Sequence, residues 1–441
     1  MKQNNLPKLS LFPLTKEINN QNHLIVGGCD TVELAKEYGT PLYIFDEFTI
    51  RTKCREFKHQ FTKIYPNTLV AYASKAFLNQ AIALIIKDEG LGLDVVSGGE
   101  LSVAQSVSFP QGNIFFHGNN KTEAELIQAL DSKIGYIIVD NFYELDLLNQ
   151  LAQSKSIKQD ILLRITPGID AHTHRYTTTG VLDSKFGFPL ISDYADMAVA
   201  KAMSASSVNL IGLHFHLGSP VPETTPYELA IDHVLRFAKE MESNYSFHLK
   251  KFVIGGGFDV QYTTDHSVLS IANYADVLTK KLLNTISNLD LTAPGLVIEP
   301  GRAIIGQAGV ALYTVGSIKC IPDKRTYVCV DGGMGDNIRP ALYQSEYEAL
   351  LANKIGEAEL ASVSIAGKFC ESGDILVKDT KLATALPGDL IAIPVSGAYC
   401  IPMSNNYNMI TRPSIVMVNN GESRLIRKRE TYQDLIRLDL I

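Results

Sequence analysis

Four short segments carry residue types with chemistry in them. Lys75 stands in YASKAF, just past an apolar run that ends near Ala73. A lone lysine in such a place ordinarily turns to solvent; one pointing into a pocket has a depressed pKa and can form a Schiff base with an aldehyde. Gly255, Gly256 and Gly257 follow FVI. Bare backbone N–H groups in a loop of this kind bind phosphate, although a tight turn also calls for glycine. Ser219 in LHFHLGS can give a hydroxyl to the same anion or cap a helix, and His216 can lie flat against a ring or simply be hydrogen-bonded in place. Glu299, Pro300, Gly301 and Arg302 complete the set. A carboxylate in a pocket is costly unless it faces a cation or a protonated ring nitrogen.

These segments lie far apart in the chain, so something must bring them together. From about residue 65 the sequence alternates short β-branched apolar runs with stretches of helical period. Strands are expected over 69–73, 91–96, 113–117, 136–139, 161–165, 210–216, 252–254 and 296–299, with helical patterns over 79–88, 122–130, 141–153, 194–203, 226–241 and 271–287. Eight strands with intervening helices over roughly 250 residues predict a TIM-like (β/α)8 barrel, whose chemistry sits at the C-terminal strand ends. Lys75, His216 with Ser219, the glycine loop and Glu299 follow the first, sixth, seventh and eighth of these strands. After Arg302 strands dominate, over 311–321, 326–330, 362–366, 390–394 and 414–418. This predicts a C-terminal antiparallel β-sandwich or β-barrel domain. The first 45 residues hold one strand candidate, 41–45, expected to join that β domain. The resulting division is 1–45, a barrel over 46–305, and a β domain over 306–441.

An aldehyde for Lys75, a phosphate for the glycines and a pyridine nitrogen for Glu299 are what pyridoxal 5'-phosphate presents. Each segment alone is weak evidence; four strand ends complementary to one cofactor point to that cofactor. The composition agrees with a small-molecule enzyme. Lys and Arg number 40 against 47 Asp and Glu, a net charge of -7, which lacks the basic excess of a nucleic-acid binder. No stretch is apolar enough to span a bilayer, and Pro7, Lys8 and Pro13 interrupt what a secretory signal needs, so a cytoplasmic location is expected. Six cysteines without a CxxC pair predict free thiols, with no disulfide frame and no metal site.

The motifs YASKAF, GLGLDVVSGGEL, HGNNKT, RITPGIDAHTHRY, TTG with SKFG, GLHFHLGS, IGGGFDV, EPGR, DGGMGDNIRPALY, CESGD and GAYCIPMSNNYN run through nearly the whole chain. In them the sequence resembles the fold-type III pyridoxal-phosphate-dependent decarboxylases and, among these, the diaminopimelate decarboxylase family. The resemblance implies decarboxylation of meso-2,6-diaminopimelate to L-lysine and CO2. It makes Lys75 the Schiff-base lysine, stacks His216 on the ring, sets Ser219, Gly255 to Gly257 and the loop Glu299, Pro300, Gly301 and Arg302 around phosphate and ring, and puts Glu299 on the pyridine nitrogen. It further implies Arg302, Arg339 and Tyr343 as substrate-carboxylate ligands, a task that suits a guanidinium fork. Glu371 would read the distal amine and Tyr399 contact both cofactor and substrate. Cys370 would be the proton donor, reaching the cofactor of the partner subunit in a homodimer.

Phe77, Pro220 and Lys368 depart from the family pattern, where Asn, Gln and Pro are usual; none removes a ligand. Decarboxylases of ornithine, arginine or carboxynorspermidine share the fold and the lysine but act on substrates without a distal amino-acid group. A racemase of this fold would pair the ring nitrogen with arginine, and EPGR offers a glutamate. A non-catalytic relative would be expected to lack the lysine, the cysteine or the carboxylate ligands, and all are present. The basic run Arg424, Arg427, Lys428 and Arg429 reads as a solvated strand edge or dimer rim.

Overall fold

In the computed structural model, which describes residues 7–170, 179–359 and 361–441, all eight expected runs become strands. They are β1 (Thr68–Ala73), β2 (Gly92–Val95), β3 (Ile114–Phe116), β4 (Tyr136–Val139), β5 (Gln159–Thr166), β6 (Val208–His214), β7 (Lys251–Val253) and β8 (Gly295–Ile298). Each pairs in parallel with the next, and β8 returns to β1, so the sheet closes into a barrel. The barrel forms one of two compact units, spanning Lys53–Asp259 and Val268–Arg302. Part of RITPGIDAHTHRY and of the TTG segment, residues 171–178, lies outside the described residues.

The helices that wrap the barrel start where short polar side chains satisfy their free N–H groups. Asn79, Ser97, Asn141 and Ser270 each accept from a backbone N–H in the first turn, and Thr122 forms a capping box with Glu125. The helix Gly98–Ser106 is absent from the sequence expectation. It opens on two glycines and buries only Leu101 and Ala104, so it carries almost no periodic signal.

Side chains alternate along each strand, and the inward set is layered. Ala71, Phe115, Ile138, Leu162, Ile211, Val253 and Val297 form one apolar cluster. Two residues further along their strands the inward set turns polar, with His117, Asp140, Arg164 and Glu299, all buried. Asp94 on β2 and His214 on β6 are buried as well. On β6 the step from Ile211 to His214 is three because the pairing with β5 slips between Leu210 and Gly212, a bulge that reverses the parity of the strand.

The remaining described residues form the second unit. Its sheet runs in the order Ile375–Leu382, Ala361–Ala366, Arg325–Val330, Gly309–Ile321, Leu42–Asp46, Ser414–Asn419, Glu422–Arg427. The N-terminal strand Leu42–Asp46 does join this sheet, and lies inside it. The sheet is mixed, not wholly antiparallel. Arg325–Val330 pairs in parallel with Ala361–Ala366, and Leu42–Asp46 with Ser414–Asn419. Strands far apart in sequence meet without hairpins, and the pattern along a strand does not encode its partner's direction. Ile375–Leu382 and Glu422–Arg427 are strands that the sequence reading lacks; Lys378, Asp379 and Lys381 in the one, and Glu422 and Arg424 in the other, are exposed and break the apolar signal.

The first 45 residues hold more than one strand. Glu17–Ile18, Leu24–Val26 and Cys29–Asp30 form a small sheet, too short for a period-two pattern, followed by helix Thr31–Tyr38. Leu24, Val26 and Leu34 join Ile44, Leu312 and Val416 in one buried cluster. Arg429 of the basic run is not solvated: it donates to Pro41 O at 2.7 Å and fastens the strand entrance. Among the described residues no helix is long and apolar enough to cross a membrane.

Candidate active site

Lys75 occupies the 3-10 turn Ser74–Ala76, directly after β1, and is half-buried. Two contacts fix this turn. The Tyr72 hydroxyl donates to Phe77 O at 2.7 Å, and Ala73 N donates to Pro300 O at 3.1 Å. The position where Phe77 departs from the family pattern thus contributes its backbone carbonyl, while its ring is buried. Gly301 packs on the same turn; a Cβ there would sit 3.0 Å from the Ala73 Cβ and 3.1 Å from that of Ala76.

The glycine loop after β7 leaves no room for side chains. Gly255 and Gly257 have φ of +66° and +108°, and a Cβ on Gly256 would run into the carbonyl oxygen of Glu299. Gly256 N donates to His216 Nδ1 at 3.2 Å, and the Tyr227 hydroxyl donates to Gly256 O at 2.7 Å. Burial first, and then the Lys75 ammonium, push His216 well below the ordinary imidazole range, so the ring is neutral. Ser219 receives the Arg302 guanidinium, with Nε at 3.4 Å and one terminal nitrogen at 3.2 Å. The Ser219–Pro220 bond is cis, and Val221 N reaches Gly257 O at 2.8 Å, so the serine loop and the glycine loop hold each other. Replacing Gly256 by alanine is expected to cost roughly 2–4 kcal/mol of stability, because the obstacle is backbone and cannot swing away. A thermal or urea melt within error of wild type would contradict this.

Glu299, 4% exposed, is the centre of a buried polar cluster. His214 Nε2 lies 3.2 Å from Oε2, and His117 Nε2 lies 3.0 Å from Oε1 and 3.6 Å from Asp94 Oδ1. Burial alone would push this carboxyl up, but the two imidazoles outweigh it and hold Glu299 well below the usual carboxylate range. Burial in turn pushes His214 down to about 3, so it is a neutral donor. Arg164 stacks over the Phe186 ring at 4.3 Å and approaches Asp140 Oδ1 at 3.8 Å. His117, His214 and Glu299 are also metal-ligating types, with ligand atoms within 4.8 Å of one another.

A lysine, a glycine cradle and a buried acid at one end of a closed barrel can be compared with known proteins. The family model for the pyridoxal-binding domain of pyridoxal-dependent decarboxylases matches residues 48–306. The Bacillus subtilis diaminopimelate decarboxylase is 48% identical over 426 residues, 97% of each chain, and the Synechocystis one is 42% identical over 99% of this chain and 94% of its own. The crystal structure of the M. jannaschii diaminopimelate decarboxylase in complex with L-lysine superposes with a TM-score of 0.91 at 34% identity, covering 97% of this chain and 98% of that one. The chain belongs to the diaminopimelate decarboxylase family of pyridoxal-dependent enzymes.

The barrel end fits the cofactor of this family on its own evidence. Glu299 Oε1, buried, has no hydrogen-bond partner, and the loop Gly255 to Gly257 is a cradle that any Cβ would fill. The barrel unit brings Lys75, His216, Ser219, the glycines, Glu299, Pro300, Gly301 and Arg302 together.

The second unit positions the other family residues. Arg339 is 5% exposed and opens the short helix Arg339–Tyr343, which ends on the half-buried Tyr343. Its guanidinium lies over the Tyr262 ring at 4.6 Å and donates to the Tyr347 hydroxyl. Cys370 and Glu371 are exposed on a turn held by Asp374, whose carboxylate accepts from Phe369 N at 2.9 Å and from Met334 N at 2.6 Å. Lys368, where the family often has proline, donates its N–H to Gly332 O at 3.0 Å, a bond proline cannot make. The turn carrying Cys370 and the glycine loop leading to Arg339 are thereby stapled together. Tyr399 is half-buried with φ of +60°.

Asp336, in the same loop, accepts from Tyr313, from Tyr43 at 3.0 Å and from Gly333 N at 3.0 Å. Burial nevertheless pushes it from its ordinary 3.8 up to about 7. The folded state then keeps a proton that the unfolded chain has already released, so stability falls as pH rises from about 4 through about 7 and then levels off. Asp336→Asn is expected to flatten this slope, worth on the order of a few kcal/mol, in thermal melts across that range. An unchanged slope would show that Asp336 is ionised throughout.

Sequence reasoning passed over Asp94, His117, Arg164, His214, Tyr262, Tyr347, Asp336 and Asp374. Two were within reach. His214 shares a face with His216 two residues on, and His117 stands in the same relation to Phe115.

Proposed function

We propose that this chain decarboxylates meso-2,6-diaminopimelate to L-lysine and CO2, with pyridoxal 5'-phosphate held at the barrel end. The observation that carries the reading is the buried, ionised Glu299 beside Lys75 and a glycine cradle, in a family whose curated relatives cited above bear this activity's name. Bound pyridoxal phosphate supplies an aldehyde that captures the substrate amine and a ring that accepts the electron pair left by CO2. Lys75 would hold the cofactor through its aldehyde, and its amine is the group placed to displace the product. The glycine loop Gly255 to Gly257, whose Gly256 N–H is given to His216 Nδ1, and the Ser219 hydroxyl would hold the phosphate, neutral His216 would lie against the ring, and anionic Glu299 would keep a proton on the ring nitrogen.

Arg302, Arg339 and Tyr343 would orient carboxylates, Glu371 would accept from the distal ammonium, and Tyr399 would contact cofactor and substrate. The bond to one carboxylate breaks, CO2 leaves, and the same carbon receives one proton from Cys370 Sγ, so that the product is an amine. The exposure of Cys370 supports a homodimer in which it serves the site of the partner subunit. Six free cysteines fit a cytoplasmic enzyme. The test is CO2 release by the pyridoxal-phosphate-loaded protein from meso-diaminopimelate, lysine, ornithine and arginine supplied separately. Release from ornithine or arginine but not from diaminopimelate would overturn the assignment.

A further inference from the structure

We infer that His117 and His214 are positioning residues that hold Glu299 as an anion with one carboxylate oxygen left open for a ring-nitrogen proton. The inference rests on the reading above, that pyridoxal phosphate binds here with its ring nitrogen toward Glu299.

A glutamate this deep in a barrel, placed just above the apolar layer of Phe115, Ile138 and Val297, would take up a proton if left alone. A protonated Glu299 could not retain a second proton on the cofactor. The groups in contact with it that oppose this are a pair of imidazoles, and the buried Arg164 guanidinium attracts the carboxylate without contacting it. His214 Nε2 is 3.2 Å from Oε2, and a carboxylate can only accept, so the proton on His214 sits on Nε2. The other nitrogen, Nδ1, is buried with no hydrogen-bond partner, as a bare imidazole nitrogen would be. His214 therefore donates one hydrogen bond without cancelling the charge of Glu299. A guanidinium or ammonium in the same place would form an ion pair and weaken the hold of Glu299 on any further proton.

His117 closes the other side. Its Nε2 stands 3.0 Å from Glu299 Oε1 and 3.6 Å from Asp94 Oδ1, and its ring meets that of His214 edge to face at 4.8 Å. The approach to Oε1 lacks the alignment of a hydrogen bond, and Oε1 keeps an unused lone pair. The two rings thus flank the carboxylate, with Oε2 hydrogen-bonded to His214 and Oε1, buried beside His117, making no hydrogen bond of its own. Backbone bonds seat both ends: Glu299 N donates to Gly255 O at 2.8 Å, and His117 N donates to Val95 O at 2.8 Å.

The test separates a role toward the ring nitrogen from a merely structural one. Apoprotein of wild type, His214→Leu, His214→Gln and His117→Leu is titrated, with a chelator present, with pyridoxal phosphate and with its 1-deaza analogue, in which CH replaces the ring nitrogen. Loss of a hydrogen bond to a charged group predicts that His214→Leu binds pyridoxal phosphate roughly tenfold or more weakly, while His117→Leu, which removes a close neighbour that makes no hydrogen bond, should weaken it by less. Affinity for the deaza analogue should stay within about twofold of wild type, and His214→Gln, which keeps a donor, should recover most of the loss. The ratio of the two affinities is read only on protein that binds, so partial unfolding cancels. Equal losses for both ligands, or no loss, would overturn the inference while leaving the proposed function standing. A wild-type protein that binds neither ligand would overturn both.

Discussion

Lys75→Ala is expected to lower turnover by on the order of 10³-fold or more while the barrel stays folded. The size follows from the number of steps the proposed function gives this one amine: holding the cofactor between turnovers, yielding to the substrate and displacing the product. Stability should barely change, because the Lys75 side chain is half-buried and the turn beneath it is fixed by Tyr72, Ala73, Pro300 and Gly301. Arginine should not rescue, since its guanidinium stays protonated where a lysine amine can become neutral and attack. Steady-state CO2 release from meso-diaminopimelate checks the first claim and a thermal melt the second. Residual activity within tenfold of wild type would remove Lys75 from the chemistry.

Cys370→Ala should lower turnover by roughly 10² to 10⁴-fold, the usual worth of a positioned proton donor, with cofactor binding intact. In one protomer the thiol is exposed on a turn stapled by Asp374. If each Cys370 serves the partner's site, Lys75→Ala and Cys370→Ala chains mixed as dimers should complement. Equal amounts pairing at random make half the dimers mixed, each with one intact site, or about a quarter of wild-type activity. Mixed dimers that recover nothing would show that Cys370 acts within its own chain or not at all.

Much of this architecture is readable from local pattern. The eight barrel strands lie within two residues of where apolar runs place them, because a strand buried on both faces needs a short, nearly unbroken β-branched stretch. Once the barrel is recognised, geometry directs attention to the C-terminal strand ends, and Lys75, His216, Gly255 to Gly257 and Glu299 all fall there. The signal fails where burial is slight, as in helix Gly98–Ser106 and the exposed-edge strand Glu422–Arg427. It fails also where strands far apart in sequence meet, as Leu42–Asp46 does between Gly309–Ile321 and Ser414–Asn419.

The residue types suited to an aldehyde, a phosphate and a ring nitrogen, and the strands that present them, are legible along the chain, since both follow from local chemistry and periodicity. What surrounds them is a matter of the folded barrel. His117 and His214 reach Glu299 from two other strands, Asp94 on a third stands beside His117, and a bulge at Ile211 turns His214 inward against the parity of its strand. Such neighbours are set by barrel closure and register, which no single stretch of chain encodes, and they decide whether a buried glutamate is an acid or an anion.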